Sequence, residues 1–149
     1  MVALADLRRL LAADRGLAVV TTLRADGTVS ASLVNVGLIA HPVGGSDVMG
    51  FVVRGAARKI PRLRRQGHTT VVVHAGWEWV SASGPVTLVG PDDRLDGFDP
   101  EALPALLRSV YVASGGTHDD WGAFDRAMVS ERRAAVLVRP DRLDGNLSA

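Results

Sequence analysis

Between positions 54 and 65 the chain reads Arg54-Gly-Ala-Ala-Arg58-Lys59-Ile-Pro-Arg62-Leu-Arg64-Arg65, six of its seventeen basic residues with no acid among them. Lys59 is the only lysine in 149 residues; arginine stands everywhere else. The stretch follows an apolar run and leads through a glycine into a short helical pattern. Such a junction suits an anion, because a helix start offers unpaired N–H groups and the positive end of its dipole. Phosphate is the commonest such ligand, and Arg54, Arg58 and Lys59 stand where it would lie, with Arg62 the weaker candidate. The plainer alternative is a solvated helix face. Arg64 and Arg65, at the far end, fit that alternative, since cations complement the C-terminal dipole. No Gly-x-x-x-x-Gly-Lys-Ser/Thr occurs, so this is not a P-loop.

A second feature is Gly76-Trp77-Glu78-Trp79-Val80. On a strand, alternation would put Trp77 and Trp79 on one side. That side either packs in a core or dimer contact, or walls a planar ligand on which flat rings stack. The histidines (His41, His68, His74, His118) show no metal spacing. The loop Asp92-Asp93-Arg94-Leu95-Asp96-Gly97 fails as a calcium loop at Arg94 and again at Leu103. Serine occurs in no Gly-x-Ser-x-Gly elbow. Absence of cysteine excludes disulfides, thiolate metal sites and thiol catalysis. If the chain is an enzyme, a cofactor carries the hard chemistry.

Net charge is only +1, so the basic stretch is local, which argues against a nucleic-acid partner. Apolar content of 47% and charged content of 22% describe an ordinary globular chain, read as one domain over residues 1–149. Charges interrupt the N-terminal apolar run, which reads as neither signal peptide nor membrane span; a cytoplasmic location is the expectation.

The elements that must hold these residues can be read from pattern. Residues 3–14 form an amphipathic helix through Leu4, Leu7, Leu10 and Leu11, ended by Gly16. Leu17–Leu23 is a strand, Ala25-Asp26-Gly27 a hairpin turn, and 28–39 the return strand. A third strand spans Val48–Val53, followed by the basic helix from about Arg58 to Gln66. Pro61 is tolerable only in its first turn, and Gly67 closes it. Strands follow at 69–75 and 78–83, continuing through Gly84-Pro85 to Val89. A polar loop covers 90–99, helices 101–113 and 119–131, and a last strand Ala134–Val138. The order predicts a mainly β chain with helices (α+β), a small antiparallel barrel of six to seven strands.

With those residues in place, the chain resembles the split β-barrel flavin/deazaflavin oxidoreductases related to pyridoxamine 5′-phosphate oxidase, and within them the branch using the deazaflavin coenzyme F420. The resemblance rests on Leu17–Gly27, Ser32-Leu-Val-Asn35, Arg54–Lys59 followed by Leu63-Arg-Arg65, and Gly76–Trp79. Gly116-Thr-His-Asp-Asp-Trp121, Met128 and Glu131-Arg-Arg133 add to it. It implies a homodimer with two cofactor sites at the interface. The phosphate would lie near Arg54, Arg58 and Lys59, and the ring along Ser32, Val34 and Asn35. Trp77 and Trp79 would approach from the partner subunit. Two departures stand out: Thr28-Val29 where the family carries a proline soon after the hairpin glycine, and Pro61 where it carries a polar or basic residue. FMN, with a ribityl phosphate of the same kind, is the alternative cofactor, and a non-catalytic cofactor carrier is a further one. No residue stands out as a proton donor, and none is assigned as catalytic.

Overall fold

A computed structural model describes residues 1–148. Helix α1 (Leu4–Ala13) leads into β1 (Leu17–Leu23), β2 (Val29–Asn35), β3 (Gly37–Ala40) and β4 (Asp47–Val53). Helix α2 (Lys59–Gln66), β5 (His68–Ala75) and β6 (Glu78–Val89) follow. A 3₁₀ turn (Pro100–Ala102), α3 (Leu103–Ala113), α4 (Trp121–Ser130), β7 (Ala134–Val138) and β8 (Arg142–Asn146) complete the chain.

All strands belong to one eight-stranded sheet, ordered β2-β1-β5-β6-β7-β4-β3, with β8 added on β6. The two outer strands, β2 and β3, are consecutive in the chain, so the sheet must curl back on itself. Val36 is the point of exchange. Its N–H still donates to Gly16 O (2.7 Å), continuing the β1 ladder, and the next residue, Gly37, already pairs with Gly50 of β4. No ladder joins β2 to β4 among the described residues, and the barrel stays open along that seam.

The core has two layers. Inside the curl, Leu7, Leu10 and Leu11 of α1 meet Val20, Phe51, Val71, Val80 and Val136, with Ile60 and Leu63 of α2 joining them. Outside it, Leu106, Leu107 and Val110 of α3 and Phe124 of α4 cover Val48, Ala135 and Leu137. β7 therefore feeds both layers and is buried at every position, which explains its uninterrupted apolar sequence. Each fully buried leucine contributes roughly 1.5–3 kcal/mol.

Four expectations need correction. The barrel has eight strands, not six or seven. The run 28–39 is two strands, because α3 presses on the chain: a Cβ on Gly37 would lie 2.5 Å from the Ala113 carbonyl carbon. β8, wholly unexpected, is a polar strand held by backbone pairing to β6 rather than by apolar alternation. Finally, Trp77 lies in the β5–β6 turn, not on the strand, so it does not share a strand face with Trp79.

Candidate functional site

The open seam between β2 and β4 is a cleft of about 670 Å³, within the range of small-molecule sites. Leu33, Val34 and Asn35 of β2 form one side. The end of β4 through Arg54, then Ala56, Ala57 and Lys59, forms the second. Tyr111 of α3, Ser114 at its C-cap, Phe124 and Met128 of α4, and Arg133 close it.

The basic side is built by a close backbone approach. Gly55 donates to Glu131 O (3.1 Å), and a Cβ on Gly55 would fall 2.6 Å from Arg132 O. Only glycine lets the turn before α2 lie against the turn before β7. That contact sets Arg133 beside Arg54 and Lys59. Glu131 lies between the arginines, with its carboxylate 2.6 Å from Arg133 Nε and 4.0 Å from Arg54 Nε. The hydrogen bond from Arg133, and then its charge, hold the Glu131 carboxyl below the usual range.

Most of the remaining arginines of the basic stretch are spent on structure. Arg64 makes a two-pronged pair with Asp93 (2.9 and 2.7 Å). Arg65 donates to Leu23 O (3.0 Å), while Gln66 accepts from Leu23 N–H (2.6 Å), which staples the end of α2 to β1. Arg62 reaches Thr22 Oγ1 at 3.5 Å. Gly67 ends the helix in the left-handed region, with its N–H on Leu63 O (2.8 Å). Arg58 and Lys59 make no ion pair or side-chain hydrogen bond among the described residues. The helix start offers an anion less backbone than the sequence suggests. Ile60 N–H goes to Ala57 O (3.2 Å) and Pro61 has none, so the side chains must supply the contacts.

Opposite lies an aromatic wall. Tyr111 and Phe124 rings are 4.9 Å apart, backed by Trp121 and His118. Tyr111 Oη donates to Thr117 O (2.8 Å), and its ring sits where a Cβ on Gly116 would be, 2.5 Å away. Asp120 caps α4 through Ala123 N–H (3.0 Å). Arg108 ties α3 to α4, gripping Asp125 with two hydrogen bonds and lying 5.4 Å over the Trp121 ring. That hydrogen bond holds the Asp125 carboxyl below its ordinary value. A carboxylate lowered in the folded state stabilises above its unfolded pKa and ceases to as pH falls through the folded one. Docking of α4 is therefore expected to loosen below about pH 4, read from the Trp121 indole NMR signal. Asp125→Asn should remove this acid-dependent component; an unchanged acid profile in that variant would count against the pair.

Of the residues singled out in the sequence, Val34, Asn35, Arg54 and Lys59 line the cleft. Asn35 donates one of its two amide N–H groups to Arg15 O (3.1 Å), leaving the other and the oxygen for a ligand. Ser32 lies further along β2, opposite Val20, and Arg58 is the exposed residue before α2; neither lines the cleft. Trp77 and Trp79 sit on the β5–β6 hairpin, where Trp77 is 93% exposed. Sequence reasoning missed Tyr111, Ser114 and Phe124 altogether. Met128 and Arg133 entered it only as matching residues, without a role.

No protein-family model matches the chain. Solved structures do resemble it. A conserved hypothetical protein of Mycobacterium tuberculosis superposes with a TM-score of 0.69 at 17% identity, covering 100% of this chain and 92% of its own. A pyridoxamine 5′-phosphate oxidase-related, FMN-binding protein of Nostoc punctiforme gives 0.63 at 12% identity, covering 97% and 85%. The chain has the split-barrel fold of these proteins. A structure described as an F420 reductase gives 0.62 at 16% identity, covering 92% and 94%. In the split barrel of this chain, the split is the β2–β4 seam, and the candidate site occupies it. Among the described residues no helix is long and apolar enough to cross a membrane.

Proposed function

We propose that this chain is a coenzyme F420-dependent oxidoreductase that reduces a small organic substrate. The observation that carries the reading is the cleft itself, basic at the β4–α2 turn and aromatic and apolar at α3 and α4. A planar ring with an anionic tail matches that polarity. Lys59 and Arg54 would hold the ribityl-linked phosphate, with Arg58 at the rim. Val34 and Asn35, with Ser32 beside them, would border the ring. Arg133, held on Glu131 (2.6 Å), completes the basic wall beside them. Bound in reduced form, this cofactor supplies a hydride. The chain's task is then to orient the substrate at reacting distance and exclude water.

FMN is the second reading, supported by the likeness to an FMN-binding protein. A homodimer fits both readings: Val29 and Leu33 of the edge strand β2 and Trp77 of the hairpin leave large apolar side chains exposed, as an interface would. In that assembly Trp77 and Trp79 would come from the partner. Fluorescence titration of the purified protein with each cofactor decides between them. Saturable F420 binding, with turnover of an enone, quinone or nitro compound, is the expected result. FMN bound tightly with no F420 binding overturns it, and F420 binding without turnover of any of the panel reduces the chain to a cofactor carrier.

A further inference from the structure

A second cleft, of about 490 Å³, opens between α1 and the end of α3. Leu11, Val36, Leu38 and Val112 give it an apolar lining, and Arg8 and Arg15 stand at its edge. No acid lines it, and neither arginine makes an ion pair among the described residues; Asp14, next in sequence, leaves Arg15 unpaired. Buried Ser114 stands between the two clefts and contributes to the lining of both. They are also joined by the hydrogen bond from Asn35 of the first to Arg15 O of the second.

Arg15 holds an unusual backbone conformation. Its φ is +52°, and Gly16 follows at +74°. At Gly16 glycine is required, because a Cβ would meet Val36 O at 2.4 Å. At Arg15, just past the C-cap of α1, a cation complements the helix dipole, but asparagine or glycine enters this backbone region more readily. A strained residue carrying an unpaired charge at the rim of a cleft points to a ligand.

We propose that the α1–α3 cleft is a carboxylate-recognising subsite, and that it binds the acid end of an apolar-bodied substrate. Arg8 and Arg15 would hold the carboxylate, and the body would lie on exposed Val112 and half-buried Leu38 above the core side chains of Leu11 and Val36. The subsite deepens the redox reading by giving its substrate a class, a small organic acid, and in that respect rests on it.

The test is a calorimetric titration of cofactor-free protein with octanoate and, separately, 1-octanol. Octanoate is expected to bind at least about ten-fold more tightly than the alcohol, the scale of a charge-assisted hydrogen bond. Amide NMR signals of Gly16, Val36 and Gly115 should shift. R15N and R8Q should each weaken octanoate by about ten-fold, with octanol binding unaltered. R15N should also leave the melting temperature unchanged or higher, since it relieves the backbone. Equal affinity for acid and alcohol, or octanoate binding indifferent to both substitutions, overturns the proposal. So does R15N lowering stability while binding persists, because Arg15 would then serve only the dipole of α1. Cofactor is absent from every arm, so failure here is distinct from failure of the redox reading, which would show as absence of F420 and FMN binding.

Discussion

Alanine at position 84 is expected to destabilise the fold by about 3 kcal/mol or more, the upper range for overpacking a closed site. Gly84 is buried at the corner where β6 leaves its pairing with β5 and β8 and joins β7. A Cβ there would lie 1.8 Å from Arg139 O. The carbonyl has nowhere to go. Arg139 N–H donates to Pro85 O (3.1 Å), and Arg139 O accepts from Asp141 N–H (2.9 Å) across a proline. Either the β6 corner opens or the β7–β8 connection moves, and both belong to the frame around the core. Against a total stability of roughly 5–15 kcal/mol, the melting temperature should drop by roughly 10 °C. Gly122→Ala is the control. There the new Cβ meets the flexible end of Arg126 at 3.3 Å and the capping Oδ1 of Asp120 only at an ordinary contact distance of 3.4 Å. Near the start of α4 it should be neutral or stabilise by up to about 1 kcal/mol. A Gly84→Ala denaturation midpoint equal to that of the parent chain would contradict the close approach.

Gly84 also shows what kind of information a sequence carries. Its neighbours are readable: β-branched alternation marks β5 and β6, and Gly84-Pro85 marks an interruption. Nothing local says that the glycine is there for Arg139, more than fifty residues on. The same holds at Gly37, where an unbroken β-forming run becomes two strands because α3 comes down on it. Elements set by their own period came out at nearly their full length: β1, the Asp26-Gly27 hairpin, α1, α2 and β7. β8 did not, since Arg-Leu-Asp-Gly-Asn has no apolar alternation: only Leu143 packs on the core, and backbone pairing with β6 does the rest.

The site divides in the same way. Its basic side is a contiguous stretch, so Arg54 and Lys59 could be named from charge and spacing. Its aromatic side is assembled from Tyr111 and Phe124, on two helices whose docking depends on Arg108, Asp125 and the turn at Gly116. On a helix these residues look like ordinary apolar positions. Arg133 is similar: only the Gly55–Glu131 contact brings it to Lys59. Pairing then sorts the basic stretch in a manner composition cannot. Arg62, Arg64 and Arg65 lean on β1 or Asp93, while Lys59 faces the cleft with no partner.

That difference sets the expected behaviour of Lys59→Ala. Cofactor affinity should fall by 1.5–3 kcal/mol, about ten- to 150-fold, because a charge-assisted contact to phosphate is lost. Folding stability should scarcely change, since the lysine holds no hydrogen bond or ion pair in the described chain. Arg64→Ala should do the reverse in kind: it breaks the Asp93 pair and leaves cofactor affinity as it was. The phosphate itself can be isolated with a ligand pair that differs in it alone, FMN and riboflavin. If Lys59 acts on the phosphate, its removal penalises the phosphorylated ligand and spares the other. A loss shared equally by both would place the lysine against the ring or in the shape of the cleft. A single lysine in an arginine-rich chain is then intelligible in physical terms: its ammonium is a compact point charge on a flexible stem. It can meet a phosphate from the first turn of α2, whereas Arg133 is held by its Nε–H on Glu131 (2.6 Å). Lys59→Arg should accordingly keep the charge and lose part of the affinity, because a bulky planar guanidinium does not reproduce the compact ammonium contact.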